Sequence, residues 1–217
     1  MTDPWPKRCA VRHTRSWRPE QFPLRGEGLT VFGADATDEA AAAQAIEGAE
    51  VVLSSIGVPF ARAPINVYSA SAAAIVAGMA RHGVKRLAVV SSTAVEPHPH
   101  SEGGFLLNRV MQPLVSKTIG KSTYTDMRAM ERIVRESATE WTIVRSAGLF
   151  DTDQVSDYKA DEGQLDGVFT SRSDQADLLV RQVRENRFVN GTVEITTSQG
   201  APTLFQMIRK EAFGGKD

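Results

Sequence analysis

Wherever an apolar run ends in this sequence, small hydroxylic or glycine-bearing residues follow. Ser54 to Gly57 close AEVVLSSIG, Ser91 to Thr93 close the run in KRLAVVSSTAV, and Ser146 to Gly148 follow WTIVR. A hydroxyl can donate or accept a hydrogen bond, and a small side chain lets backbone lie close to a flat ligand. Asp35 and Ala36 end a fourth run, GLTVFGA. Small residues also end ordinary buried strands, so one cluster says little, but the recurrence favours a site. Tyr124 and Arg128 stand one helical turn apart, a spacing that sets a cation beside a phenol. His98 and His100 flank Pro99 in a stretch that reads as a flexible loop, with no cysteine and no helix-spaced third ligand, so no metal site is expected. No Gly-x-Ser-x-Gly elbow surrounds Ser91 or Ser92, which argues against an acyl-transfer hydrolase.

The elements that must position these residues alternate between short apolar runs and helix-period segments, the pattern of an α/β protein with a mainly parallel sheet. CAVRH and GLTVFGA read as strands, and Asp38 as the N-cap of the helix EAAAAQAIE. AEVVLSSIG reads as a buried strand. A helix is predicted from about Ile65 to His82, with Gly83 closing it. Leu87 to Val90 form a continuously apolar strand, as one covered on both faces does. A long helix over Tyr124 to Ser137 carries the stripe Met127, Met130, Ile133 and Val134. WTIVRSAGLF reads as one strand. Ser173 is expected to cap a helix burying Ala176, Leu179, Val180 and Val183, before the strand GTVEITT and a last helix from Pro202 to Ala212. In a parallel sheet ligands gather outside the carboxyl ends of the strands, which is where the four clusters fall.

The chain of 217 residues is read as a single domain over 1–217, with 41% hydrophobic and 24% charged residues and a formal charge of −1. That balance gives no reason to expect nucleic acid as a partner. One cysteine, Cys9, excludes an internal disulfide framework and fits a cytoplasmic protein. The longest small-apolar run, AAAIVAGMA, falls well short of the roughly 20 residues that span a bilayer, so no membrane partner is expected.

Three stretches, GADATDEAAAAQAIEGAEVVLSSIG, HGVKRLAVVSSTAV and YTDMRAMERIVRESATEWTIVRSAGLFD, resemble successive signatures of the atypical short-chain dehydrogenase/reductases. The subgroup is the NAD(P)H-binding, NmrA-like one that includes biliverdin reductase B (flavin reductase), and FTSRSDQADLLV resembles its Ser-Arg-x-Asp-x-Ala segment. The resemblance implies a Rossmann-like doubly wound sheet. It also implies an NAD(P)H-dependent oxidoreductase passing hydride to a small electron-poor acceptor of the flavin or quinone class. By the same resemblance Arg12 and Arg15 meet an adenosine 2′-phosphate, so NADP is expected rather than NAD. Asp35 and Ala36 lie along the adenine, and Ser55, Ile56 and Gly57 beside the cofactor backbone; Asp35 as a simple loop cap is nearly as good a reading. Ser91 is assigned to the cofactor site and Ser92 to the nicotinamide, with the proton taken from solvent or Ser92, while Ser146, Ala147 and Gly148 back the carboxamide. Tyr124 is a second candidate acid. Its partner is Arg128 where better-known members of the superfamily have lysine, and arginine does not serve as a proton donor.

The family opens with a strand, a Gly-x-x-Gly-x-x-Gly turn and a helix, and only eight residues, none of them glycine, precede CAVRH here. The expectation is therefore a missing or altered first βα unit, a chain that starts one unit late. Two lost hydrogen bonds to a charged phosphate at about 1.5 to 3 kcal/mol each, with a helix-terminus contribution, amount to about 3 to 7 kcal/mol. Cofactor binding is then expected to be weak and activity doubtful. The alternative from another class is a non-catalytic NmrA-like cofactor-sensing or protein-binding regulator. Composition leaves the acceptor and the oligomeric state open.

Overall fold

The computed structural model describes residues 30–59, 63–100 and 120–203. Its centre is a five-stranded sheet built from β1 (Val51–Ser54), β2 (Arg86–Ser92), β3 (Glu140–Ser146), β7 (Gly191–Thr196) and β5 (Lys159–Asp161), in that spatial order. The first four are parallel and β5 runs antiparallel to β7. A second, two-stranded sheet pairs β4 (Gly148–Phe150) with β6 (Phe169–Ser171). The α/β reading, mainly parallel and Rossmann-like, holds. Among the described residues no helix is long and apolar enough to cross a membrane.

Strand alternation divides the core in two. Leu87 and Val89 of β2 and Ile143 of β3 point to one face, where they meet α2 (Val67–His82) and α3 (Lys121–Glu136) through Ala72, Ile75, Met79, Met130 and Val134. Ala88, Val144, Val193 and Ile195 point to the other, under Leu178 and Leu179 of α4 (Arg172–Arg181). Helix α1 (Glu39–Ile46) starts as expected at Asp38, whose carboxylate accepts from the Ala41 amide. It packs closely on α2: a Cβ at Gly78 would come within 3.0 Å of the Ala43 backbone, so the small residue sets the helix spacing. Gly83 ends α2 at φ +70°, the left-handed conformation that costs glycine little.

Several expectations are corrected. Residues 30–34 of GLTVFGA join no strand ladder. Strand β1 is half-buried at the sheet's edge among the described residues, with Leu53 38% exposed on the α4 side. WTIVRSAGLF is two strands, because the chain leaves the main sheet at Ala147, whose amide donates to Thr170 Oγ1 and so turns the next strand toward β6. The cap of α4 is Ser171. Ser173 Oγ donates instead to the Thr152 carbonyl, and Asp174, Gln175, Leu178, Leu179 and Gln182 are buried while Ala176 is exposed. Asp174 accepts from the Ser156 amide and Gln175 donates to Ser146 Oγ, so polar as well as apolar residues make up the buried face of the helix. CAVRH lies outside the described residues, as does the predicted last helix beyond residue 203.

Candidate functional site at the strand ends

Strands β2 and β3 end together. Ser91 pairs with Arg145 and Ser92 with Ser146, so the two residues of each rung share a face and the two rungs point to opposite faces. Ser91 and Arg145 point toward α3; Ser92 and Ser146 point toward α4, where Gln175 Nε2 donates to Ser146 Oγ at 3.0 Å. Ser92 Oγ accepts from the Ala94 amide at 3.2 Å and caps the short 3₁₀ turn Thr93–Val95. Each of these hydroxyls thus has one lone pair engaged and a proton that it can give. Ser146 is 3% exposed and Ser92 half-buried, so Ser92 is the more accessible donor. Ser91, assigned to cofactor contact from sequence, spends its hydroxyl elsewhere: it is buried and donates to Glu131 Oε1 at 2.6 Å.

Behind this edge, on the α3 side, sits a charged cluster that sequence reading missed. Glu131 of α3, 1% exposed, accepts from Ser91, from Arg145 Nε at 3.0 Å and Nη2 at 2.8 Å, and from Arg135 at 2.9 Å. Arg145 Nη1 also reaches Glu96 at 2.7 Å. Burial pushes the Glu131 carboxyl up, but the bonds from Arg145 and Ser91 pull it further down, and the net shift is below the ordinary carboxylate range. Burial works against the Arg145 charge as well, yet the two carboxylates raise its pKa overall. Arg128, one turn before Glu131, donates from Nε to the Val95 carbonyl at 2.8 Å. Two sequence signals were available: a carboxylate on the buried stripe of a helix and an arginine inside an apolar strand.

Tyr124 stands in the first turn of α3 and is buried. Asp35 forms a local turn, its Oδ1 accepting from the Thr37 amide at 2.9 Å and hydroxyl at 2.7 Å, which matches the loop-cap reading; Ala36 is half-buried within that turn. Ser55 and Gly57 are exposed after β1, and Ile56 packs against the core. A Cβ at Gly57 would meet no atom within 4 Å, so the backbone there is open to close approach by a ligand. Ala147 and Gly148 carry the chain from β3 into β4. Arg12 and Arg15 lie outside the described residues.

A dinucleotide needs both a flat cradle and donors for its phosphates. The strand ends offer open backbone at Gly57 and the Ser92 and Ser146 hydroxyls. Helices α1, α2 and α4 aim first-turn amides at the chain's own oxygens. Asp126 takes the Tyr68 and Ser69 amides of α2, Asp38 serves α1, and Ser171 serves α4. The histidines are not on a loose loop: His98 and His100 are buried with ring centroids 4.5 Å apart. His98 Nε2 lies 3.1 Å from the Leu165 carbonyl and 3.6 Å from Glu194, and His100 Nδ1 lies 3.9 Å from Asp166. Among the described residues no group of three or more His, Cys, Asp or Glu could hold a metal ion.

A family model described as NAD(P)H-binding matches residues 9–186. No curated protein matches the sequence. Solved structures are similar in fold. A short-chain dehydrogenase/reductase from Veillonella parvula in complex with NADP aligns with a TM-score of 0.62 at 19% identity, over 84% of this chain and 77% of that one. An anaerobilin reductase, ChuY, from Escherichia coli O157:H7 aligns at 0.64 and 16% identity, over 90% and 86%. The oxidoreductase ylbE from Lactococcus lactis aligns at 0.66 and 13%, over 85% and 78%.

Proposed function

The chain belongs to the NAD(P)H-binding family, and from that premise we propose that it is an oxidoreductase passing hydride from a nicotinamide to a small electron-poor acceptor of the flavin or quinone class. The observation that carries the reading is the pair of adjacent hydroxyls, Ser92 and Ser146, each already accepting one hydrogen bond at the carboxyl end of a central strand. Bound there, the dinucleotide would supply the hydride. The backbone of Ser55 to Gly57 would lie beside it, and Ser146, Ala147 and Gly148 would fix the carboxamide plane. Ser92 gives a proton to the acceptor and regains one from solvent, so the acceptor gains a hydride and a proton in all. Arg12 and Arg15 would choose NADPH over NADH by pairing with the 2′-phosphate.

The test follows nicotinamide absorbance with flavin mononucleotide and a simple quinone, using NADPH and NADH at millimolar levels. Acceptor reduction in one-to-one ratio with NADPH, slowed about a hundredfold by Ser92→Ala, is the expected result. A second reading is a cofactor-sensing or protein-binding regulator without turnover, and it draws on the burial of both Tyr124 and Ser146, which leaves the half-buried Ser92 as the accessible hydroxyl among the candidate acids. Saturable NADPH binding without oxidation by either acceptor would replace the first reading with the second.

A further inference from the structure

Buried ion pairs are poor stabilisers: an apolar pair of similar volume does as well or better, because the charges lose their hydration. Glu131 and Arg145 nonetheless sit beneath the strand ends, with Glu131 only 1% exposed. What the pair provides is geometry. The two arginine nitrogens meet both carboxylate oxygens, and the fork permits one orientation. The third donor on that carboxylate, Ser91, is the register partner of Arg145. One α3 side chain therefore holds two neighbouring strands at the same rung. The next rung is Ser92 and Ser146. Arg128, from the same helix one turn earlier, holds the Val95 carbonyl and with it the 3₁₀ turn whose cap is Ser92.

From this juxtaposition we propose that Glu131 is a positioning residue for the reacting edge: by clamping Ser91 and Arg145 on one side of the sheet it fixes where Ser92 and Ser146 stand on the other. The role rests on the reading of Ser92 and Ser146 as the nicotinamide-side hydroxyls. It does not require Glu131 to touch cofactor or substrate. The carboxylate stays ionised there, since its partners hold it below the ordinary range, and the clamp is a fixed feature at neutral pH.

The deciding experiment compares wild type with Glu131→Gln, which keeps volume and removes charge. Amide hydrogen exchange is read in the cofactor-free chain, and NADPH affinity is read at a temperature far below melting. Exchange at 92–94 and 146–148 should quicken at least about tenfold while 51–54 stays unchanged, and the NADPH dissociation constant should rise about tenfold. Arg145→Lys, which keeps the charge but loses the fork, should give the same local pattern at smaller size and serves if Glu131→Gln does not fold. Exchange that quickens uniformly over all strands, or NADPH affinity that is unchanged, overturns the proposal and leaves Glu131 a stability contact. Should wild type bind no NADPH, that failure falls on the proposed function, and the exchange pattern alone decides the clamp.

Discussion

Two Ser-Ser pairs end two neighbouring parallel strands of this sheet, and they differ in everything but sequence. Ser91 and Ser92 close a seven-residue strand paired on both sides, with Ser91 tied to Glu131 and Ser92 capping a turn that Arg128 holds. Ser54 and Ser55 close a four-residue strand paired only to β2 among the described residues, with Leu53 beside them 38% exposed and nothing within 4 Å of a Cβ placed on Gly57. A site at these strand ends has one braced wall and one open wall. The braced wall fixes hydroxyls whose direction would matter for proton transfer under the proposed function. The open wall would, under the proposed function, offer backbone to a planar ligand, which needs clearance more than fixed direction.

The contrast can be broken most strongly at Glu131. Glu131→Ala leaves Arg145 with only the exposed Glu96, and should cost about 3 to 5 kcal/mol in a urea melt, the usual result of orphaning a buried charge. Asp126 braces the start of α2 in a similar way, accepting from the Tyr68 and Ser69 amides and, in a short contact, from the Ser69 hydroxyl. Asp126→Ala should cost about 1 to 3 kcal/mol by stranding those donors, read from the same melt.

Acid should loosen the buried histidine cluster first. Burial, with His98 alongside, pushes the His100 imidazole below its ordinary value, and Asp166 opposes the shift. Glu194 joins the same cluster through His98. A base with a depressed folded pKa takes up fewer protons folded than unfolded, so stability is complete above about pH 6.5 and falls as pH drops toward the folded value. Melting temperature should therefore decline below that pH, and His100→Asn should flatten the limb. At lower pH Glu131 and Asp174, both held below the ordinary carboxylate range, lose their share as they protonate. The smallest effect belongs to the open wall. Gly57→Ala should change stability by under about 0.5 kcal/mol while weakening NADPH binding, and a stability loss comparable to Asp126→Ala would erase the distinction between the two walls.

Strand β2, both helices beside it and the strand-end clusters were legible because period and capping are local. Leu87 and Val89 were placed by continuous apolar character, α1 by its Asp38 cap, and α2 by Gly83. The α4 face was misplaced because its burial is set by Asp174 and Gln175, polar residues that a hydrophobic stripe does not reveal. Asp174 is fully buried by accepting from Ser156 and Thr197, partners 18 and 23 residues away. His98 and His100 read as part of a flexible loop for the same reason. Their surroundings come from Leu165, Asp166 and Glu194, which only the folded chain brings near.

By itself the sequence determined that this is a parallel α/β protein with small hydroxylic residues where its strands end, since hydrophobic period and turn chemistry act between near neighbours. Which face of the sheet each hydroxyl takes, and what holds it there, was a tertiary decision. Ser91 and Ser92 are the same residue type one step apart, and pleating sends one into the Glu131 clamp and the other toward α4. That outcome needed a carboxylate 40 residues along the chain. No local rule encodes such a meeting, because the energy that makes it comes from a contact that exists only after the helix has packed on the sheet.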